Sequence, residues 1–485
     1  MSFLSLEFCI LLAGALLLYY AIPPRFSTLR SLVLLAACGC FYYSTQRQYL
    51  PLLPCSILLS YLSATAMDRI ESPVGRRVVF WFTTVLIAGA MIVFRYSGFI
   101  ADAVSRLTGR PVGEGLHLIA PLGISVYTLR ILSYLADVSR RKYAHWTDPV
   151  KYAVYVSFFP AILAGPLDRA DDFLPRLEKP AAFSFDRLES GGLLILWGLF
   201  VKLIAADRLS LFAGAIYRSY GTMPGSYLLL ATFAYGLLFY CDFSAYSNVA
   251  RGIGELFGLP VARSFAQPYM ALSVGEFWRR WHVSLSAWLR DYIYIPLGGN
   301  RCGRFRKYLA LTVAFLLGSL WYGSGFHTLV WGGLNALFVI FEDMVPSLRP
   351  KVPEGKKGLV LRCLQRSAVF LAVSLGWVFF FGDGTKNALK LLLRMVTEFR
   401  LGALGSRRLL ELGLYKADFG ALFFALAVQW LVDGLAYRGK DVLGSLRTLY
   451  LPYRWFLYLL LIFSILLFGV YAVDCAPAPF LCVRL

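Results

Sequence analysis

Runs of apolar residues long enough to cross a bilayer as helix recur along nearly the whole chain. They occupy roughly 3–22, 29–43, 48–67, 78–100, 150–165, 191–216, 226–247, 307–322, 326–345, 359–381, 418–436 and 454–473. About 20 apolar residues span a hydrocarbon core, and a chain built this way has one solution open to it: helices whose backbone bonds close internally. Composition agrees, with 58% hydrophobic and 16% charged residues where a soluble chain carries roughly a quarter charged. The expected fold is all-α and polytopic, with roughly 10 to 12 spans plus re-entrant and interfacial helices. No shift in composition marks off a soluble domain, so residues 1–485 read as one integral-membrane domain.

The formal net charge of +20 would point to nucleic acid in a soluble protein. Here the basic residues gather in alternating loops, the pattern of cytoplasmic retention, and the partner implied is the bilayer, not nucleic acid. Arg69, Arg76 and Arg77, then Arg140, Arg141 and Lys142, then Lys351, Lys356, Lys357, Arg362 and Arg366 mark the cytoplasmic side. The tail, 474–485, then falls outside. The first apolar run lacks a basic n-region and a small-residue cleavage site, and reads as a retained helix. Nine cysteines show neither a metal-binding spacing nor a regular framework. Cys475 and Cys482 lie close enough in the tail to pair in an oxidising compartment.

Two apolar stretches are interrupted. GLHLIAPLGISVYTLRILSYLAD, 115–137, carries Pro121 and Gly123 followed by Ser125, Thr128 and Arg130, and SFFPAILAGPLDR, 157–169, carries Pro160, Gly165 and Pro166. Proline and glycine open the helical ladder, which a membrane tolerates only where protein or water re-satisfies the backbone. Broken or re-entrant helices are expected at both places, within a core region of 115–345.

The densest polar and aromatic block lies at 268–301, PYMALSVGEFWRRWHVSLSAWLRDYIYIPLGGNR. Charge at a helix centre costs roughly 2.5–3.5 kcal/mol per Asp, Lys or Arg on insertion scales, so such a concentration among apolar segments marks a site. Trp278, Trp281, His282, Leu285 and Leu289 recur on one face of a helix, with Arg280, Ser284, Ala287 and Asp291 on another. A single amphipathic interfacial helix over 274–295 is the expectation. His282 then reads either as a core histidine bonded to a backbone carbonyl or as a polar group at the floor of a cavity.

FWRRWHVSLSAWLRDYIYIPLGGNR resembles the signature of the membrane-bound O-acyltransferase superfamily, and more narrowly its bacterial branch of alginate O-acetylation and teichoic acid D-alanylation. PLGISVYTLR at 121–130, FFPAILAGPLDR at 158–169, GLFVKLIAADRL at 198–209 and YCDFSAYSNVARGIGELFG at 240–258 extend the likeness nearly end to end. The resemblance implies a ring of helices around a central tunnel in a bacterial inner membrane. Acetyl-CoA would enter from the cytoplasm as substrate, with no bound cofactor or metal. The acetyl group would pass to an extracytoplasmic SGNH-type acetyltransferase partner that decorates an exported polysaccharide such as alginate, cellulose or peptidoglycan. Trp278, Arg279, Arg280, Trp281, Arg290, Asp291, Asn300, Trp321 and Asn335 become candidate donor-binding or tunnel residues. Asp242, Ser244, Tyr246 and Asn248 join them from the FYCDFSAYSN motif. Forked guanidiniums suit phosphates, although positive-inside anchoring explains each arginine equally.

The chain departs from the family at its chemistry. Where relatives read LWHG, this one reads Leu320-Trp321-Tyr322-Gly323, so Tyr322 takes the place of the histidine regarded as catalytic; a further family histidine falls on Asn335. His327 is a new imidazole five residues on, about 140° around a regular helix from Tyr322. Three outcomes stay open: His327 or His282 as the working base; Tyr322 as a hydroxyl that donates to a thioester oxygen or accepts an acyl group; or a degenerate relative acting as acyl conduit or scaffold. In the tail, Cys482 stands where the family pattern has a suspected relay tyrosine, and a thiol can carry an acyl group as a thioester.

Overall fold

The computed structural model describes residues 3–109, 118–345, 356–381, 384–471 and 480; among these every regular element is helical. Among the described residues, seven helices are long and apolar enough to cross a membrane: Arg47–Arg69, Pro73–Ser105, Phe185–Arg218, Gly225–Leu256, Gly358–Phe380, Lys416–Tyr437 and Leu451–Phe468. Several turn large apolar side chains outward, among them Trp81, Phe82 and Val85 on one helix and Leu466 and Leu467 on another. That is the face a lipid-exposed helix presents. The tail from 474, with Cys475 and Cys482, and also His117, lie outside the described residues apart from Phe480.

Two compact units emerge. The first comprises Met1–Gly192 and Ala250–Ala262, the second Leu193–Val249 and Arg263–Leu485. In the first, both expected interruptions are present. The helix Ile124–Ser139 begins only after Gly123, whose φ of +71° is left-handed. A Cβ there would run into the carbonyl oxygen of Ile162, so the turn requires glycine. The helix Pro149–Ser157 likewise stops before a run of turns through Pro160 and Gly165. Buried Arg130 re-satisfies the carbonyls these breaks release. It donates to Tyr155 O at 3.0 Å and Pro166 O at 3.1 Å, and pairs with Asp168 at 3.3 Å. Asp168 in turn accepts from the backbone of Ala262 at 2.8 Å.

In the second unit, Gly303–Tyr322 and Phe326–Met344 form a helical hairpin through Gly323 and Gly325. Gly332 sets their separation, since a Cβ there would lie 2.6 Å from that of Ser319. The expected single helix over 274–295 is in fact three pieces. Val274–Arg280 ends at Trp281; Val283–Leu289 follows; Arg290–Tyr294 widens into a π turn. His282 occupies the break with φ +41°. The flanking groups bond away from the helix axis: Val283 N donates to Ser264 O at 2.7 Å, and Ala266 N to Arg280 O at 2.9 Å. A neighbouring loop segment therefore captures hydrogen bonds that the periodicity assigned to the helix.

Candidate active site

The break at His282 decides the site. On a regular helix, consecutive residues point about 100° apart and do not meet a common partner. With His282 left-handed, Trp281 Nε1 donates to the Tyr322 hydroxyl at 3.1 Å, and His282 Nδ1 lies 3.1 Å from the same oxygen. All three residues are buried. Burial without a charged neighbour pushes the His282 imidazole down to about 3, so it is neutral at working pH.

Aromatic rings close around this group. Trp281 lies 5.2 Å from Trp377, which stacks on Trp331 at 5.1 Å; Phe239 reaches Trp281, Tyr322, Trp377 and Phe380. Phe243 stands edge-on to His282 at 4.8 Å. Trp278 donates to Asn335 Oδ1 at 3.2 Å, and Asn335 returns a hydrogen bond to Trp331 O at 2.8 Å. Asn335 thus fixes two of the tryptophans.

Beside this aromatic wall opens a cavity of about 430 Å³. Trp278, Trp281, Tyr322 and Trp331 line its buried end, while Arg279, Arg290 and Tyr294 line its more exposed one. Its volume falls within the roughly 300–1,000 Å³ of small-molecule sites. The arrangement offers cationic groups at the mouth, an apolar middle, and one polarised hydroxyl within. Such a geometry suits a ligand with an anionic head and a short acyl end.

Other predicted residues take supporting roles. Arg280 is committed to structure: it pairs with Glu276 at 2.7 Å, donates to Ala266 O at 3.0 Å and stacks over Tyr437. Asp291 pairs with Arg290 at 2.8 Å. Exposed Asn300 accepts from the Tyr294 hydroxyl at 2.7 Å. Trp321 flanks the His282 ring at 6.4 Å. His327 begins the Phe326–Met344 helix, half-buried, with its ring against Gly325, outside the lining of the cavity.

A second polar cluster occupies an adjoining face of the Gly225–Leu256 helix. Lys202 pairs with Asp242 at 2.7 Å and with Asp207 at 2.9 Å, all three buried. Lys202 sits in the π segment Val201–Ala206. Its ammonium lies 5.0 Å from the Phe480 ring, which meets Tyr246 edge-on at 5.5 Å. Ser244 bonds to Cys241 O at 3.2 Å, and Asn248 is half-buried on the same helix. The structure buries Lys202. Sequence reasoning missed Phe239, Trp377 and Phe380, which lie in apolar runs with no polar signal to single them out.

Comparison with known proteins places the chain in a family. The model of the membrane-bound O-acyltransferase family matches residues 116–380. The chain is 31% identical over 445 residues to a probable alginate O-acetylase AlgI of Pseudomonas syringae pv. tomato, covering 89% of this chain and 82% of that protein. It is 30% identical over 412 residues to a peptidoglycan O-acetyltransferase of Helicobacter pylori, covering 78% and 75%. A teichoic acid D-alanyltransferase of Bacillus subtilis is 25% identical over 234 residues, covering 46% of this chain and 59% of its own length.

Proposed function

Because the chain belongs to the membrane-bound O-acyltransferase family and is a multi-pass O-acyltransferase, we propose that it draws an acetyl group from cytoplasmic acetyl-CoA for O-acetylation of an exported polysaccharide. The relatives named for alginate and peptidoglycan acetylation support acetyl as the group and a polysaccharide as its destination. An inner-membrane location and an extracytoplasmic SGNH-type partner belong to the same proposal, as does Cys482 as a thioester relay.

The observation that carries this reading is the cavity. Arg279 and Arg290 stand where donor phosphates would enter, and Tyr322 where a thioester carbonyl would arrive. The apolar middle matches a pantetheine arm. His327, outside that lining, is assigned no step.

The test uses the purified protein in lipid nanodiscs with labelled acetyl-CoA, following CoA release and the label. Native protein is expected to release CoA, His327→Ala to match it, and Cys482→Ala to release CoA while losing onward transfer to the partner. No CoA release by the native protein, with its partner present, would discard acetyl-CoA as donor.

A further inference from the structure

Resting on the donor reading above, we infer that the Tyr322 hydroxyl is a dedicated hydrogen-bond donor to the thioester carbonyl, locked in that role by two N–H groups from Trp281 and His282. The argument is one of hydrogen-bond accounting. An indole nitrogen only donates, so Trp281 Nε1, at 3.1 Å, occupies one lone pair of the phenol oxygen. His282 Nδ1, also at 3.1 Å, either accepts the phenol proton or donates to the second lone pair.

The other ring nitrogen settles the choice. His282 Nε2 is buried and meets no acceptor among the described residues. A proton on Nε2 would strand a buried N–H, at a cost of about 1–3 kcal/mol. A proton on Nδ1 leaves only a bare nitrogen lone pair on the buried Nε2 and frees the phenol O–H toward the cavity that Tyr322 lines, where solvent or a ligand can accept it. The network therefore assigns the proton to Nδ1.

With both lone pairs of Tyr322 filled, its O–H must donate, and among the described residues no protein acceptor claims it. Tyr322 lines the cavity, which gives the O–H its direction. Two inbound hydrogen bonds also polarise the phenol, strengthening it as a donor.

In the reaction, the acceptor's hydroxyl or thiol attacks the thioester carbonyl carbon, and negative charge gathers on the carbonyl oxygen facing Tyr322. The carbon–sulfur bond then breaks, CoA leaves, and the acceptor's proton ends on the CoA sulfur. Tyr322 keeps its own proton and forms no bond to the acyl group. Tyr322 is thus the catalytic residue, while Trp281 and His282 position it.

The experiment compares the native chain with Tyr322→Phe and with 3-fluorotyrosine at position 322, in nanodiscs with acetyl-CoA. Tyr322→Phe is expected to lower kcat by about 10²–10³, the loss typical of one oxyanion donor, with KM and binding of a thioether analogue of acetyl-CoA unchanged. The fluorinated phenol, a stronger donor and weaker nucleophile, is expected to match or exceed the native rate, with no acetyl adduct on the tyrosine by mass spectrometry. Native-like turnover by Tyr322→Phe, a slower fluorinated enzyme, or acetyl-tyrosine at 322 would each overturn the assignment while leaving acetyl-CoA as donor. A native chain inert to acetyl-CoA would overturn the donor reading and this assignment together.

Discussion

His282 Nδ1 lies 3.1 Å from the Tyr322 hydroxyl, forty residues apart in sequence, because His282 has left the helix that its neighbours would otherwise continue. One left-handed residue brings two adjacent side chains to one oxygen. That contact holds the phenol of Tyr322, which lines the cavity, against a neutral imidazole.

The role of His282 is separable from its imidazole. Asparagine tolerates positive φ better than most residues and carries an amide N–H near the position of Nδ1. His282→Asn is expected to keep kcat within about tenfold of native, and His282→Ala to lose substantially more, since a lost hydrogen bond of about 1–3 kcal/mol maps to roughly 5- to 150-fold. Parallel CoA-release rates with unchanged donor binding check this.

The pH response follows from burial. The folded imidazole is held at about 3, below its ordinary value of 6.5. Its contribution to stability is therefore complete above pH 6.5 and lost as pH falls from there toward 3. The melting temperature should fall below pH 6.5 in native protein and fall less in His282→Asn. A rate profile between pH 5 and 8 should show no limb that His282→Asn removes.

The cavity mouth is expected to read phosphate. Arg279→Ala combined with Arg290→Ala should raise KM for acetyl-CoA about tenfold or more, given about 1.5–3 kcal/mol for a charge-assisted hydrogen bond. KM for acetyl-pantetheine, which lacks the nucleotide, should be nearly unchanged. An equal loss for both donors would move the phosphate site elsewhere.

Gly318 tests the cavity itself. A Cβ there would meet only the Leu289 side-chain tip, at 3.0 Å, which can yield. Gly318→Ala should therefore be mild. Gly318→Leu would project into the space and is expected to raise KM for acetyl-CoA at least tenfold without lowering the melting temperature. Native kinetics in Gly318→Leu would argue that the donor lies elsewhere.

The Lys202 cluster should matter to stability before activity. Removing one partner of a buried ion pair costs about 3–5 kcal/mol, and Lys202→Met takes the ammonium from both Asp242 and Asp207. A markedly lower melting temperature is expected, with partial recovery in Lys202→Met combined with Asp242→Asn.

The sequence by itself determined the membrane character, the all-α class and the interruptions at Pro121–Gly123 and Pro160–Pro166, and it singled out Trp278, Trp281, His282 and Tyr322, which the structure brings together. Each of these rests on local chemistry: apolar length, helix-breaking residues, or a concentration of polar groups that hydrocarbon would not otherwise tolerate. Only the tertiary structure decided the rest. The helix expected over 274–295 breaks because Ser264 and Ala266, outside its window, take its hydrogen bonds, and no periodicity can register a competitor from elsewhere in the chain. The same holds for His327, which packing set outside the lining of the cavity. It holds also for Lys202, whose two carboxylate partners come together only when helices pack. Which nitrogen meets which oxygen is a property of side chains brought together over long sequence separations, and no local pattern encodes that.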